Sequence, residues 1–266
     1  MTYSVWVGMD QEVQQQLALQ VELSFQRHHD FMIAHGLELC RDVVDIGTGN
    51  GRFLAGVASR HPTIRFRGVD DQSHMFRAAV NFDLPNIDWS LANAFDSQAA
   101  TLLSAADGVI MRNFILHSPN TARSLHELLQ ATRPGTRVWI FDVDLDHCRC
   151  VPDSAAFQHF LAMVQAFCER SGVAIRTGAL LPPILDTNRY DVAAVAIEPF
   201  NNREIAGARF AEHLVREASL YHYALYGTPG TTELLPLREL LVGKARDGSQ
   251  FVQYGMVMIA AQKRSC

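Results

Sequence analysis

No apolar run in this 266-residue chain reaches the ~18 residues that a membrane span requires, so no transmembrane segment is expected. The stretch Met1 to Gln16 is polar and acidic, without the basic-then-apolar order of a secretory leader. Cysteine is scarce. The five cysteines (Cys40, Cys148, Cys150, Cys168 and Cys266) are odd in number and scattered, which argues against a disulfide framework. An excess of positive charge is missing too: charged residues make up 19% of the chain and the net charge is −5, so no basic field draws it to nucleic acid or anionic membrane. No internal repeat, low-complexity tract or flexible linker interrupts the chain, and residues 1–266 read as one domain. A cytoplasmic protein with a small-molecule ligand is the expectation, and a homodimer is left open.

Hydrophobic residues make up 48% of the chain, enough to bury a large core. Asp10 to Leu39 reads as helical, with Val13, Leu17, Val21 and Phe25 at helical spacing and a separate short helix expected over His28 to Gly36. The triplet His28-His29-Asp30 is expected on a face of this lid. Val43 to Ile46, a short apolar run ending in glycines, reads as a buried parallel strand. Helices at Gly51–His61, Ser73–Asn81 and Thr121–Thr132 then alternate with strands at Ile64–Val69, Ile87–Leu91, Gly108–Met111 and Arg137–Val143.

After Asp144 the rhythm changes. Helices are expected at Ala155–Arg170, Leu180–Asn188, Ala208–Ala224 and Leu237–Ala245, and strands at Val192–Ile197 and Phe251–Ala261. The pattern predicts an α/β fold: a Rossmann-like, seven-stranded, mostly parallel sheet with helices on both faces. An N-terminal helical lid (1–40) and two helical insertions (146–185 and 199–249) are placed to cap a substrate.

The most informative stretch is Asp45-Ile46-Gly47-Thr48-Gly49-Asn50-Gly51. A strand that ends in Gly-x-Gly-x-Gly and opens a helix lets backbone approach a ligand where a Cβ would obstruct it. A pyrophosphate suits such a helix start as well. The spacing differs from Gly-x-Gly-x-x-Gly, however, and Asp45 sets a carboxylate where a pyrophosphate would be repelled. A cationic ligand is favoured by the same charge.

These residues resemble the first motif of the class I S-adenosylmethionine-dependent methyltransferases. The resemblance continues in Gly68-Val69-Asp70, whose acid is implied to accept from the cofactor ribose, and in Asp71-Gln72-Ser73-His74-Met75, the entry to the next helix. It implies that Asp71 lies beside the adenine. Asn93-Ala94-Phe95 stands where the family more often has an acid, a small residue and an aromatic one. Asn93 is implied to accept from the adenine amino group, and Ala94 to offer its N–H. Arg112 and Asn113 fall in the loop that faces the methionine moiety. The resemblance thus implies a cofactor site of Asp45, Gly47, Thr48, Gly49, Gly51, Asp70, Asp71, Met75, Asn93, Ala94, Phe95, Arg112 and Asn113.

Three residues are candidates for the chemistry. His117 follows the fourth motif, where a general base could sit near the transferring methyl group. His222 and Tyr223 lie on the aromatic helix that could cap a planar acceptor, although the same aromatics suit plain packing. Asp142, Asp144, Asp146 and His147 suggest a metal, as do Cys148 and Cys150. The loop acid needed to complete a magnesium site is replaced by Arg112 and Asn113, so no metal is expected. The expected reaction is methyl transfer from S-adenosylmethionine to an O, N, S or C atom of a small molecule. A non-methylating reaction of the same fold, a rearrangement or decarboxylation, is the alternative.

Overall fold

The computed structural model describes residues 9–118, 120–174, 176–244 and 247–265. Residues 1–8 of the expected lid, Ala245 at the end of an expected helix, and Cys266 lie outside the described residues.

The sheet begins with β1 (Asp42–Ile46), β2 (Arg65–Asp70), β3 (Ile87–Leu91), β4 (Gly108–Arg112) and β5 (Arg137–Val143). Two later strands, β7 (Tyr190–Glu198) and β9 (Met256–Lys263), complete seven in the order β3-β2-β1-β4-β5-β9-β7. All pairs among β1 to β5 are parallel, and β9 runs antiparallel to both β5 and β7. β1 sits at the centre of the five parallel strands, where Val43, Val44 and Ile46 are each fully buried and neither face meets water. Alternation assigns the two faces. Val44, Ile46, Val109, Met111, Val138 and Ile140 pack in one cluster, whereas Val43, Ile110, Trp139 and Phe141 pack in the other. The strand order reverses between β1 and β4, which opens a crevice at their carboxyl ends.

Short helices α2 (Arg52–Ala58), α3 (Ser73–Ala79), α4 (Ser97–Ala105) and α5 (Thr121–Ala131) connect the parallel strands. α4 was not anticipated. Its run of alanine, serine and threonine carries few of the large apolar residues that mark a buried stripe.

The lid expectation needs correcting in one respect. α1 is one continuous helix, Asp10–Ala34, and not two. No breaker stands between Arg27 and Phe31, and the chain turns only at Gly36, which has φ 91°. The triplet His28-His29-Asp30 lies on this helix, and His28 is fully buried and stacks on Phe141 with 4.2 Å between ring centroids.

The C-terminal half adds α6 (Ala155–Ser171), α7 (Thr177–Thr187), α8 (Gly207–Tyr226) and α9 (Leu235–Glu239), the last continuing into a π turn at Leu240–Lys244. Phe157, Phe160, Phe210 and Leu214 of α6 and α8 join Met9 and Val13, before and on α1, in a further apolar cluster. The expected final strand Phe251–Ala261 is split. β8 (Phe251–Gln253) pairs with β6 (Arg149–Val151) in a separate ribbon, and β9 starts after Gly255. A Cβ on Gly255 would overlap the Asp144 carbonyl oxygen, so the close approach requires glycine there.

Candidate functional site

A cleft of about 340 Å³ opens where the sheet order reverses. Its floor is the turn after β1. Gly47 and Thr48 donate backbone N–H bonds to the Val69 carbonyl at 2.9 and 3.0 Å, and Gly49 donates to Asp70 Oδ2 at 2.8 Å. Gly47, Gly49 and Gly51 all have positive φ, near 72°, 59° and 74°. They serve different ends. A Cβ on Gly49 would meet only Leu17 at 3.5 Å, so this glycine keeps the cleft open. A Cβ on Gly51 would stand 2.7 Å from Trp89 and 2.8 Å from Ala79, so Gly51 lets helix and sheet close together.

Asp45 lies beneath the turn, 2% exposed, and its Oδ2 accepts from the Thr48 hydroxyl at 2.8 Å. Its other oxygen is buried without a hydrogen-bond partner. Burial pushes its pKa up to about 7, against the lowering effect of the Thr48 bond. Asp70 accepts from the Gly49 and Gln72 N–H groups, and burial still raises it to about 6. Two buried carboxylates in one cleft favour a positively charged ligand and oppose a pyrophosphate. S-adenosylmethionine, with its sulfonium and ammonium, passes this test of fit; the orphaned oxygen of Asp45 is where positive charge or an N–H is wanted.

The far end of the cleft holds Asp71, Asn93, Ala94 and Phe95. Asn93 bridges this rim: its Oδ1 accepts from the Phe95 N–H at 2.9 Å and its Nδ2 donates to Asp71 Oδ2 at 3.2 Å. One lone pair of Asn93 Oδ1 remains for an amino group. Arg112 and Asn113 line the opposite end. The guanidinium of Arg112 reaches His28 Nδ1 at 3.2 Å and the Ser24 hydroxyl at 3.1 Å, and it lies 5.1 Å from the Phe53 ring centre. Of the residues expected to hold the cofactor, Met75 and Gly51 do not line the cleft. Met75 is buried, its sulfur accepting from Gln14 Nε2 at 3.3 Å, because the helix buries the face on which it falls.

His117 also lines the cleft, and burial pushes its pKa down to about 4, so the ring is neutral near pH 7. His222 and Tyr223 lie elsewhere. His222 is buried, with Nδ1 2.7 Å from the Thr228 carbonyl and its ring 4.7 Å from that of Tyr226. Tyr223 packs beside the C-terminal apolar cluster. The reason is helical phase: His213, Glu217, Leu220 and Tyr221 share one face of α8, and that face turns to the site.

Beyond Leu17, Asn113 and His117 the cleft meets a small chamber of about 40 Å³, walled by α1, α8 and the ends of β4 and β5. Glu217 stands in its wall, 7% exposed. Sequence reasoning passed over it, since one glutamate on an amphipathic helix reads as a solvated position.

Behind Arg112, His28 Nε2 meets Glu198 Oε2 at 3.0 Å, with both side chains fully buried. Burial lowers the pKa of His28, against the raising effect of Glu198.

Asp142 lies within β5 and not after it, and both it and Asp144 are spent on backbone. Asp142 Oδ2 accepts from the Ile115 N–H at 2.7 Å and its Oδ1 from the Val143 N–H at 2.9 Å. Asp144 accepts from Asp146 and Gly178 N–H groups at 3.0 and 2.7 Å.

The sheet order thus places a cleft with two buried carboxylates at the carboxyl ends of parallel strands, where α/β proteins of this type bind ligands. Residues 44–140 match the family described as a methyltransferase domain. A tRNA (guanine-N(7)-)-methyltransferase of Streptococcus mutans is 29% identical over 93 residues, 34% of this chain and 42% of that protein. An O-methyltransferase of Pyrenophora dematioidea is 26% identical over 129 residues, 47% of each chain. Each of these matches spans less than half of the curated relative's length. The solved YcgJ protein of Bacillus subtilis superposes with a TM-score of 0.58 at 17% identity, covering 91% of this chain and 100% of that one, which shows a shared fold. Residues 44–140 are thus similar to a methyltransferase domain, of the kind whose cofactor is S-adenosylmethionine.

Proposed function

We propose that the chain transfers the methyl group of S-adenosylmethionine to a nucleophilic atom of a small-molecule acceptor held between α1 and α8. The observation that carries this reading is the junction of cleft and chamber: Leu17, Asn113 and His117 line both. When bound, the cofactor supplies a methyl group on a sulfonium, which an aligned lone pair displaces while the C–S electrons stay on sulfur. What remains for the protein is alignment and the exclusion of water.

In this reading Asp45, Gly47, Thr48, Gly49 and Asp70 hold the cofactor's charged and ribose parts, Asp71, Asn93, Ala94 and Phe95 its base, and Arg112 and Asn113 its methionine end. Asn113 sits at the junction with φ 51°, a left-handed conformation that asparagine tolerates better than most residues. His117, neutral near pH 7, lines both sides of that junction and adds no charge there.

A chamber of about 40 Å³ closed by two helices suits the end of a small molecule better than a base carried on folded RNA. The whole chain then acts as one domain in the cytoplasm, with segments 1–40, 146–185 and 199–249 closing over the acceptor.

The test is turnover with methyl-labelled S-adenosylmethionine against a panel of small acceptors. Label in the product, with one S-adenosylhomocysteine formed per product, is expected. Substrate conversion without S-adenosylhomocysteine would replace this reading with a non-methylating one.

A further inference from the structure

The wall of the chamber carries a hydrogen-bond chain whose direction is set by one carboxylate. Glu217 Oε2 accepts from Gln16 Nε2 at 2.6 Å and from Gln20 Nε2 at 3.3 Å. Its Oε1 accepts from the Tyr221 and Tyr254 hydroxyls at 3.1 and 3.3 Å. A carboxylate only accepts, so both amides must turn their NH2 groups towards it. Gln20 thereby presents its oxygen to Asn113, which meets it with Nδ2 at 3.2 Å. Two oxygens are left over: Gln16 Oε1 and Asn113 Oδ1 are buried and lack a partner. Both residues line the same chamber as Glu217.

The chamber therefore offers acceptors and asks for donors. Its charge is also one-sided. The four partners of Glu217 are neutral, and the nearest histidine, His213 with Nε2 at 3.8 Å, is pushed down to about 3 by burial and so is uncharged. Arg112 borders the adjoining space with its charge intact, bonded to His28 and Ser24, but it is not part of this chamber's wall. A hydroxyl brings one donor to this wall, an anion brings none, and an ammonium brings up to three with the matching charge.

We propose that the acceptor is a primary or secondary amine, whose ammonium form docks against Gln16 Oε1, Asn113 Oδ1 and the Glu217 carboxylate. The inference rests on the methyltransferase reading above and names its substrate class. One proton passes from the ammonium to Glu217, giving a neutral amine and a carboxylic acid; the nitrogen lone pair is then free to attack. Burial raises the pKa of Glu217, which makes it a stronger base than a surface glutamate.

The experiment titrates S-adenosylhomocysteine-loaded protein with ethylammonium, ethanol and acetate by ligand-observed NMR, and repeats the series on Glu217→Gln. Ethylammonium is expected to bind the loaded wild type at least tenfold more tightly than ethanol or acetate. Glu217→Gln, which keeps the shape and drops the charge, should abolish that preference while S-adenosylhomocysteine affinity stays within twofold. Among labelled-cofactor assays, amines should be methylated and matched alcohols should not. Equal or tighter binding of ethanol or acetate, no binding of ethylammonium, or a preference that survives in folded Glu217→Gln overturns the proposal. The wild-type series decides even where the variant fails to fold. Failure of the unmodified protein to bind S-adenosylhomocysteine overturns the methyltransferase reading itself; intact cofactor binding without the amine preference overturns the amine assignment alone.

Discussion

Gln16 on α1 and Glu217 on α8 are 201 residues apart in sequence and meet through a 2.6 Å hydrogen bond, Nε2 to Oε2. The bond joins the first helix to the C-terminal insertion directly over the end of β4. Gln16→Leu removes this donor and leaves a buried carboxylate with fewer partners, so stability should fall by about 1–3 kcal/mol. Affinity for S-adenosylhomocysteine should stay near the wild-type value, because Gln16 does not line the cleft. Melting curves and calorimetry on one preparation check both; a large loss of cofactor affinity at unchanged stability would contradict the placement.

Asp70→Ala should weaken S-adenosylhomocysteine binding by about 1–3 kcal/mol, through lost charge-assisted bonds to the ribose and a loosened Gly49 turn. Calorimetry that finds wild-type affinity in a folded variant would remove Asp70 from the cofactor site.

The two glycines of the turn should separate by phenotype. Gly51→Ala adds a left-handed alanine and a clash with Trp89 and Ala79, so stability should drop by about 2 kcal/mol or more. Gly49→Ala carries the backbone penalty with little clash, and its larger effect should be on cofactor affinity. Equal melting temperatures for the two variants would show that helix and sheet leave room for a methyl group at Gly51.

Cofactor binding should depend on pH in a definite direction. The buried Asp45 carboxyl is protonated below its pKa of about 7, and a cationic ligand binds its ionised form. Binding therefore releases a proton, and affinity rises with pH up to about 7. The S-adenosylhomocysteine dissociation constant should be roughly tenfold or more higher at pH 5 than at pH 7, and Asp45→Asn should flatten that slope. In the unliganded protein the sign is opposite: Asp45 has a raised folded pKa, so its own contribution favours folding at low pH and is lost as pH rises from about 4 to about 7. A dissociation constant that does not vary with pH in the wild type would show that Asp45 does not meet the ligand's charge.

Turnover should survive EDTA. Asp142 and Asp144 each hold two or more backbone N–H groups, and among the described residues no group of three His, Cys, Asp or Glu side chains is arranged to hold a metal ion. Loss of activity with the chelator, restored by magnesium, would return the acids at the end of β5 to the site.

The parts of this molecule that were legible in the sequence are those where neighbours in the chain are neighbours in space. Asp45 and the glycines that follow it sit on one strand and one turn, and Asp70 ends the adjacent strand, so the cleft could be read from local pattern. Glu217 and His28 could not. Each acquires its meaning from residues about 170–200 positions away, and nothing in the surrounding helix separates either from an ordinary amphipathic pattern. The aromatic residues of α8 drew attention to His222 and Tyr223, yet it is helical phase, fixed by packing against α1, that turns Glu217 and Tyr221 to the chamber instead. The break between β8 and β9 was hidden for a similar reason: the run is apolar apart from Gln253, and the approach of Asp144 to Gly255 divides it.

The buried pair of His28 and Glu198 has a consequence for how often the site can open. It fastens the middle of α1 to the last residue of the strand at the sheet edge, close to where Arg112 reaches up from β4. Exposing the chamber by swinging the whole helix would break this pair and bare two desolvated ionisable groups, a slow event. The N-terminal turns of α1, from Asp10 to Gln20, are held by amide hydrogen bonds instead, Gln14 to Met75 and Asn50, Gln16 to Glu217 and Gln20 to Asn113. Opening the chamber from either end of α1 therefore breaks a buried contact, His28 with Glu198 at one end or Gln16 with Glu217 at the other.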